Sequence, residues 1–254
     1  MIDRTTLSLT LAAAAVALLS AAVAPARAEP VKNIVIVHGA FADGSGWQGV
    51  YNILTKDGYN VTIVQNTTVS LAADVTTTRN VLADQNGPVV LVGHSYGGEV
   101  ITQAGDDPKV KSLVYVSAYV PDAGESLQSL TAKADPSIPA PPILPPKNGF
   151  LLLDRAKFPA VFAADVDRRK AQFMAASQVP LGVQTFTDQI TTAAWKTKPS
   201  YYIISSKDRM IPPADEKMMA TRAKSVQFEF NAGHAVYVSR PDEVAKVIEK
   251  AASN

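Results

Sequence analysis

The chain has 254 residues, of which 47% are hydrophobic and 19% charged, and its formal net charge is +1. This length suits one α/β domain with room for an insertion, and it allows a large core without disulfide staples. Cysteine is absent, which excludes disulfides, thiolate metal sites and a cysteine nucleophile, and three histidines are too few for a histidine-rich metal cluster. No basic run is present, so the charge pattern argues against a nucleic-acid partner.

The first 28 residues have the features of an export signal. A basic residue precedes an apolar stretch at residues 7–24, and Ala26-Arg27-Ala28 matches the small-residue pattern of a cleavage site. Pro25 directly follows the apolar stretch, which favours a cleaved signal over a membrane span. We therefore expect cleavage after Ala28 and a periplasmic or secreted protein that is no longer bound to the membrane. An uncleaved membrane anchor is the alternative.

After residue 30, short runs rich in β-branched residues alternate with segments of helical spacing. The predicted strands cover residues 31–39, 59–66, 88–95, 110–120, 200–206 and 226–230, and the predicted helices cover 47–56, 71–85, 97–105, 215–223 and 242–252. Near-continuous Val, Ile and Leu is typical of parallel strands that are covered on both faces. The alternation predicts an α/β fold with a mostly parallel sheet and helices on both faces.

The segment 121–199 interrupts this alternation. It contains a cluster of prolines between residues 136 and 146 and no convincing strand, and a structureless loop of that length is improbable inside a compact domain. We therefore expect an inserted, partly helical cap, with helices over residues 158–162 and 168–177. The core of the fold would then comprise residues 29–120 and 200–254.

The sequence Gly93-His94-Ser95-Tyr96-Gly97 lies between a predicted strand and a predicted helix. A G-x-S-x-G sequence on a tight strand-to-helix turn holds a serine in a strained conformation with its hydroxyl exposed. The start of the helix also favours developing negative charge. A glycine-rich turn alone would not require serine at its centre. We therefore expect Ser95 to be a nucleophile.

A serine nucleophile needs a base, and the chain offers His38, His94 and His234. Side chains of neighbouring residues diverge on a sharp turn, so His94 is expected to be a buried structural residue. His38 ends the first predicted strand and is expected to hold a loop through its ring nitrogens. His234 follows the last strand, where loops at the carboxyl ends of parallel strands meet. His234 is therefore the expected base.

The base in turn needs a carboxylate that orients it. Asp208 directly follows a predicted strand, whereas Asp215 and Glu216 lie within the next predicted helix and are expected to face solvent. Asp208 is therefore the first candidate and Asp215 the second. The other interpretation of Asp208 is a helix-capping carboxylate.

The position of Ser95 and of the first predicted strand also indicates which backbone N–H groups could form an oxyanion hole. Tyr96 is the residue after the nucleophile, and Ala40, in the loop after the first strand, is the second candidate, with Phe41 as its alternative. Apolar residues of the predicted cap could line a substrate pocket, although packing within the cap would explain them equally well. These candidates are Leu152, Phe158, Phe162 and Phe173.

Four motifs occur in the order HGAFADGSGW, PVVLVGHSYGGEVI, YYIISSKDRMIPP and AGHAVYVSRP. Together they resemble the α/β-hydrolase superfamily, and within it the branch of small serine esterases and hydroxynitrile-lyase-like enzymes that includes plant methyl-salicylate esterases. The resemblance implies the triad Ser95–Asp208–His234, an oxyanion hole at Ala40 and Tyr96, and no cofactor.

Two departures separate this chain from the lyases of that branch. Those enzymes characteristically have Thr where this chain has Gly39. They also have Lys soon after the catalytic His, where this chain has Ala235-Val236-Tyr237. The differences favour hydrolysis over cyanohydrin cleavage.

We therefore expect a serine carboxylesterase that hydrolyses a small, apolar carboxylic ester through an acyl-enzyme, without a cofactor or metal. Its partner would be the small-molecule substrate, and the chain would act as a monomer or homodimer. The same residues would also serve a lactonase, a carbon–carbon hydrolase or a hydroxynitrile lyase, because a fold does not determine the substrate. A catalytically weak, ligand-binding protein of this fold is the alternative from another functional class.

Overall fold

The computed structural model describes residues 31–253, so the predicted export signal at residues 1–28 lies outside the described residues. No helix within residues 31–253 is long and apolar enough to cross a bilayer. The strands are β1 (Asn33–Val37), β2 (Asn60–Val64), β3 (Val89–Ser95), β4 (Val110–Ala118), β5 (Phe150–Leu151), β6 (Leu181–Gly182), β7 (Ser200–Ser205) and β8 (Val226–Phe230). The α-helices are α1 (Gln48–Lys56), α2 (Leu71–Ala83), α3 (Gly97–Ala104), α4 (Leu127–Thr131), α5 (Phe158–Val161), α6 (Arg168–Ala176), α7 (Val183–Thr187), α8 (Pro213–Arg222), α9 (Val236–Ser239) and α10 (Pro241–Ala252).

Six parallel strands form one sheet in the order β2-β1-β3-β4-β7-β8. Helix α1 packs on α10 and α2 packs on α3, and these helices cover the sheet. The central strands β1 and β3 are buried along their whole length, as expected for strands between two helical layers. The predicted α/β fold is confirmed, and the ends of the predicted strands and helices lie within two residues of the observed ends.

Residues 121–199, which we call the insertion, lie between the neighbouring strands β4 and β7. Helices α5 and α6 confirm the two helices expected there. The expectation that the segment contains no strand is wrong, because β5 and β6 pair antiparallel in a separate two-stranded sheet. Each of these strands has only two residues, too few for a recognisable alternating pattern.

The turn between β3 and α3 brings α3 against the end of β1. A Cβ atom at Gly97 would lie 2.5 Å from the carbonyl oxygen of Val37 and 2.8 Å from that of His38. Both atoms belong to the backbone and cannot rotate away. Glycine is therefore required for α3 to begin this close to the sheet.

Glu125 ties the start of the insertion to α8. Its carboxylate pairs with the Arg222 guanidinium at 2.8 Å and with the Lys133 ammonium at 2.9 Å. Burial alone would raise the pKa of Glu125, but hydrogen bonds from Arg222, from the backbone N–H of Asp122 and from Lys133 outweigh burial and lower this pKa to about 2. Glu125 therefore stabilises the folded state where it is ionised.

We expect Gly97→Ala to lower the free energy of unfolding by about 2–3 kcal/mol, because the new methyl group overlaps with backbone atoms. Gly58→Ala is the matched control: Gly58 has φ of 84° but nothing within 4 Å of a new Cβ. Its cost should be about 1 kcal/mol from backbone conformation alone. Urea unfolding measures the free energy of unfolding of both variants. If Gly97→Ala lost no more stability than Gly58→Ala, the close approach of α3 to the end of β1 would be contradicted.

We expect Glu125→Gln to lower the free energy of unfolding at pH 7 by about 1–2 kcal/mol. The folded-state pKa lies below the usual 4.5, so the stabilisation is present above pH 4.5 and is lost as the pH falls toward about 2. Urea unfolding of the parent chain and the variant at pH 7, 4 and 2 tests this. A difference that stays constant down to pH 2 would show that the charge is not responsible.

Candidate active site

Ser95 is the last residue of β3, and α3 begins two residues later. Its φ is 53°, in the left-handed region that residues with side chains rarely adopt, and it is 7% exposed. A Cβ atom at Gly39 would lie 2.7 Å from the Cβ of Ser95, so the loop after β1 passes directly beside the serine. This strained strand-to-helix turn has the form of a nucleophile elbow.

His234 and Asp208 form a fully buried pair. Nδ1 of His234 lies 2.6 Å from Oδ2 of Asp208. The other oxygen, Oδ1, accepts hydrogen bonds from the backbone N–H groups of Met210 and Ile211 at 2.6 and 2.9 Å. Asp208 therefore caps the turn that it begins and also orients the imidazole of His234. Nε2 of His234 has no hydrogen-bond partner among residues 31–253.

The two acidic residues that follow in α8 differ from each other in burial. Asp215 is half-buried, and burial raises its pKa, but the carboxylate that binds Nδ1 of His234 is that of Asp208. The expectation that Glu216 faces solvent is wrong, because its side chain is fully buried. Glu216 shares the inner face of α8 with Met219 and Ala220, at the i, i+3, i+4 spacing of a core-facing stripe. That spacing was a signal for its burial.

His94 joins the turn at Ser95 to the loop of His234. Its Nε2–H donates to the carbonyl oxygen of His234 at 3.0 Å, and the two imidazole rings are 4.6 Å apart. Burial, followed by the neighbouring His234, holds the pKa of His94 well below its usual value, so the ring is neutral. The expected structural role of His94 is confirmed.

No hydrogen bond joins Ser95 Oγ to His234 Nε2 within residues 31–253. The structure therefore brings Asp208 and His234 into direct contact and ties His234 to the residue before Ser95. Contacts between a nucleophile and its base are often long in unliganded sites and tighten when substrate binds.

His38 holds the loop after β1, as expected. Its Nδ1–H donates to the carbonyl oxygen of Gly39, and its Nε2 accepts the backbone N–H of Asn66, both at 2.9 Å. The side-chain amide of Asn66 donates to the carbonyl oxygen of His38 at 2.9 Å. Burial lowers the pKa of His38, which keeps the ring neutral and able to accept. The backbone N–H groups of Ala40 and Phe41 in this loop have no acceptor among residues 31–253.

Asp74 fixes the side chain of Tyr96, as His38 fixes the loop after β1. It was not among the residues predicted from the sequence. The Tyr96 hydroxyl donates to Oδ2 of Asp74 at 2.8 Å. The same carboxylate accepts the backbone N–H groups of Thr67 and Thr68 at 2.7 and 3.0 Å. The Tyr96 side chain is thereby fixed, while its backbone N–H has no acceptor among the described residues. Asp74 had no local motif to reveal it, because its partners lie on other segments.

The insertion covers the loop of His234. The carbonyl oxygen of Phe162 accepts the backbone N–H of Ala235 at 3.0 Å, and Asp165 accepts that of Gly233 at 3.1 Å. The Phe162 ring meets the His234 ring edge-on, with centroids 4.8 Å apart. Phe158 stacks on Phe162 at 4.6 Å, and both phenylalanines are fully buried.

The other two predicted pocket residues, Leu152 and Phe173, differ in exposure. Leu152 is half-buried, whereas Phe173 is 63% exposed, a solvent-facing position that does not suit the predicted pocket role. A cavity of about 370 Å³ lies among α2, α3 and residues 184–191, and none of the three candidate catalytic residues lines it. Residues 31–253 contain no cluster of three or more His, Asp or Glu that could hold a metal ion, and catalysis without a cofactor stays a prediction.

Comparison with known proteins identifies relatives over most of the chain. The model of the alpha/beta hydrolase family matches residues 34–247. A carbendazim hydrolyzing esterase from Nocardioides sp. (strain SG-4G) is 41% identical over 118 residues, which are 41% of this chain and 49% of that esterase, so this chain spans about half of its length. A pyrethroid hydrolase from Sphingobium wenxiniae is 25% identical over 248 residues, 86% of each protein.

Solved structures show the same fold. The crystal structure of polyneuridine aldehyde esterase superimposes with a TM-score of 0.75 and 18% identity, covering 87% of this chain and 98% of that one. The resemblance drawn from the four motifs is confirmed by this match and by the family model. The chain belongs to the alpha/beta hydrolase family.

Proposed function

We propose that this protein is a serine carboxylesterase that hydrolyses a small, apolar carboxylic ester, with Ser95, His234 and Asp208 as its catalytic residues. The observation that carries the proposal is the buried His234–Asp208 hydrogen bond of 2.6 Å, next to a serine held at positive φ. Membership of the alpha/beta hydrolase family, together with relatives named as an esterase and a hydrolase, supports hydrolysis as the reaction.

The reaction would proceed through an acyl-enzyme. Ser95 Oγ attacks the ester carbonyl carbon and gives its proton to His234 Nε2, which has no other partner among the described residues. The protonated His234 then donates this proton to the departing alcohol as the acyl–oxygen bond breaks. A water molecule, deprotonated by His234, attacks the acyl-serine and releases the carboxylic acid. Asp208 keeps Nδ1–H of His234 bound throughout, so that Nε2 faces the reacting atoms.

The negatively charged oxygen of the intermediate needs hydrogen-bond donors. Tyr96 N–H at the start of α3 is one candidate, and Ala40 N–H, or alternatively Phe41 N–H, is the other. All three are without acceptors in residues 31–253, which supports this assignment. His38 and Asp74 hold the two segments that carry these donors, so little reorganisation would be needed during the reaction.

Aromatic side chains surround His94 and His234 and favour an apolar substrate. Phe162 contacts the His234 ring, and Trp47 stacks on Tyr237 at 4.5 Å beside His94. In this proposal Leu152, Phe158 and Phe162 contribute to the apolar wall of the site. Two of the relatives are named for the hydrolysis of carbendazim and of pyrethroids.

The surroundings of Gly39 favour hydrolysis over cyanohydrin cleavage. A threonine there, characteristic of the related lyases, would place its Cβ 2.7 Å from the Ser95 Cβ and 2.9 Å from the His94 carbonyl oxygen. The backbone of this chain leaves no room for such a side chain. We therefore favour ester hydrolysis over the lyase reaction on the same three residues.

We expect Ser95→Ala to abolish hydrolysis of p-nitrophenyl esters and labelling by a fluorophosphonate probe, because both require the serine oxygen. Ser253→Ala, in the turn after α10, is the matched control and should leave both unchanged. Mass spectrometry of the labelled peptide identifies the modified serine. Labelling of another serine would contradict the assignment of Ser95 as the nucleophile. An unlabelled and inactive parent chain would favour a ligand-binding protein. Assays with lactones and cyanohydrins test the other reactions.

We expect Asp208→Asn to lower kcat by about 10³–10⁴-fold with little change in KM, because asparagine leaves His234 in the wrong tautomer. Asp215→Asn is the control, since it removes the neighbouring acid that does not bind His234. Steady-state kinetics with a p-nitrophenyl ester measures both variants. A large loss in Asp215→Asn with little loss in Asp208→Asn would reverse the assignment.

A further inference from the structure

Glu216 is a fully buried carboxyl group behind Asp208. It lies in α8, and its Oε2 accepts the backbone N–H of Ser205 at 2.9 Å. Its other oxygen, Oε1, receives no hydrogen bond from any of residues 31–253. Burying an ionised carboxylate that has one N–H donor would cost folding free energy, so the protonation state of Glu216 requires an explanation.

The explanation lies in its neighbour. The backbone of Ser205 links the two residues, because its N–H donates to Glu216 and its carbonyl oxygen accepts the backbone N–H of Asp208 at 3.0 Å. The two carboxyl groups are therefore neighbours, and both the charge of Asp208 and a side-chain hydrogen bond with it act on Glu216. Two carboxyl groups in contact cannot both be ionised in a buried site, and one of them must keep a proton.

The hydrogen bonds indicate which group keeps it. Asp208 receives N–H donors from Met210, Ile211 and His234, an arrangement that stabilises a carboxylate. Within residues 31–253, Glu216 receives one such donor, from Ser205. The proton therefore resides on Glu216.

We infer that the Glu216 carboxylic acid donates a hydrogen bond to Asp208 and thereby positions the carboxylate that orients His234. Glu216 is in this sense a positioning residue, because it acts on the reaction only through Asp208. The inference rests on the proposed function, in which Asp208 and His234 take part in ester hydrolysis.

The other titratable groups that interact electrostatically with Glu216 agree with its neutral form. Besides Asp208 they are Glu229 of β8, Tyr202 of β7 and Tyr119 after β4, each of which is acidic or neutral. Burial first, and then the charge of Asp208, raises the pKa of Glu216 well above its usual range. The backbone N–H of Ser205 acts in the opposite direction but is outweighed.

Two substitutions separate the role of the proton from that of packing. Glu216→Gln keeps an acceptor for Ser205 N–H and offers an N–H donor to Asp208. Glu216→Met fills a similar volume without either group. We expect kcat/KM to stay within about twofold of the parent in Glu216→Gln and to fall about ten- to hundredfold in Glu216→Met. The acid limb of the pH profile should move in Glu216→Met only. Glu229→Gln, an exposed carboxylate that pairs with Lys217, is the control and should match the parent.

Two spectroscopic measurements do not depend on activity. The infrared difference spectrum between the parent chain and Glu216→Gln at pH 7 should contain the C=O band of a protonated carboxylic acid. The low-field Nδ1–H proton resonance of His234, assigned by its loss in Asp208→Ala, should persist in Glu216→Gln and shift in Glu216→Met.

Absence of the acid band would overturn the inference, even if Glu216→Met does not fold. It would also be overturned if folded Glu216→Gln were as impaired as Glu216→Met, or if Glu216→Met retained the parent pH profile and resonance. If the parent chain hydrolyses no ester, the proposed function fails, but the infrared and NMR results still decide the state of Glu216.

Discussion

The site depends on the close approach of three backbone segments where β3 turns into α3. Gly97 allows α3 to start against the carbonyl oxygen of Val37, and Gly39 allows the loop after β1 to pass beside Ser95. Side chains at either glycine would push these segments apart. The same approach forces Ser95 to a φ of 53° and places the N-terminus of α3 next to the serine. The strain at Ser95 and the unpaired N–H groups beside it thus have one geometric cause.

Around this turn, buried polar groups are held by specific hydrogen-bond partners within the protein. His38 and His94 are neutral because burial lowers the pKa of each, and each uses a ring nitrogen to fix a loop of the site. Asp208 is held by two backbone N–H groups in addition to His234. Groups fixed in this way need little rearrangement when charge develops nearby, which is the physical basis of preorganised catalysis.

The loop between β2 and α2 connects these groups to the insertion. Asn66 binds His38, and Thr67 and Thr68 bind Asp74, which holds Tyr96. Thr68 also accepts the backbone N–H of Gly182 in the insertion at 2.7 Å. One short loop therefore binds the His38 segment directly, is connected to Tyr96 through Asp74, and also contacts the insertion.

The sequence by itself determined the fold class, the order of strands and helices, and a short set of residues with the right chemistry. Hydrophobic periodicity and the G-x-S-x-G turn are local features, so they can be recognised without knowledge of packing. The strands β5 and β6 escaped prediction because two residues are too few to show a period. Three histidines and no cysteine also reduced the choice of base to His234.

Only the tertiary structure decided which carboxylate meets His234, and that Glu216 is buried behind it rather than in solvent. It also decided that Asp74 holds Tyr96 and that Phe173 faces outward while Phe162 contacts His234. These contacts join residues far apart in the chain. Their geometry follows from how helices and loops pack on the sheet; the spacing of Glu216, Met219 and Ala220 indicates a buried face of α8 but not which group Glu216 meets there.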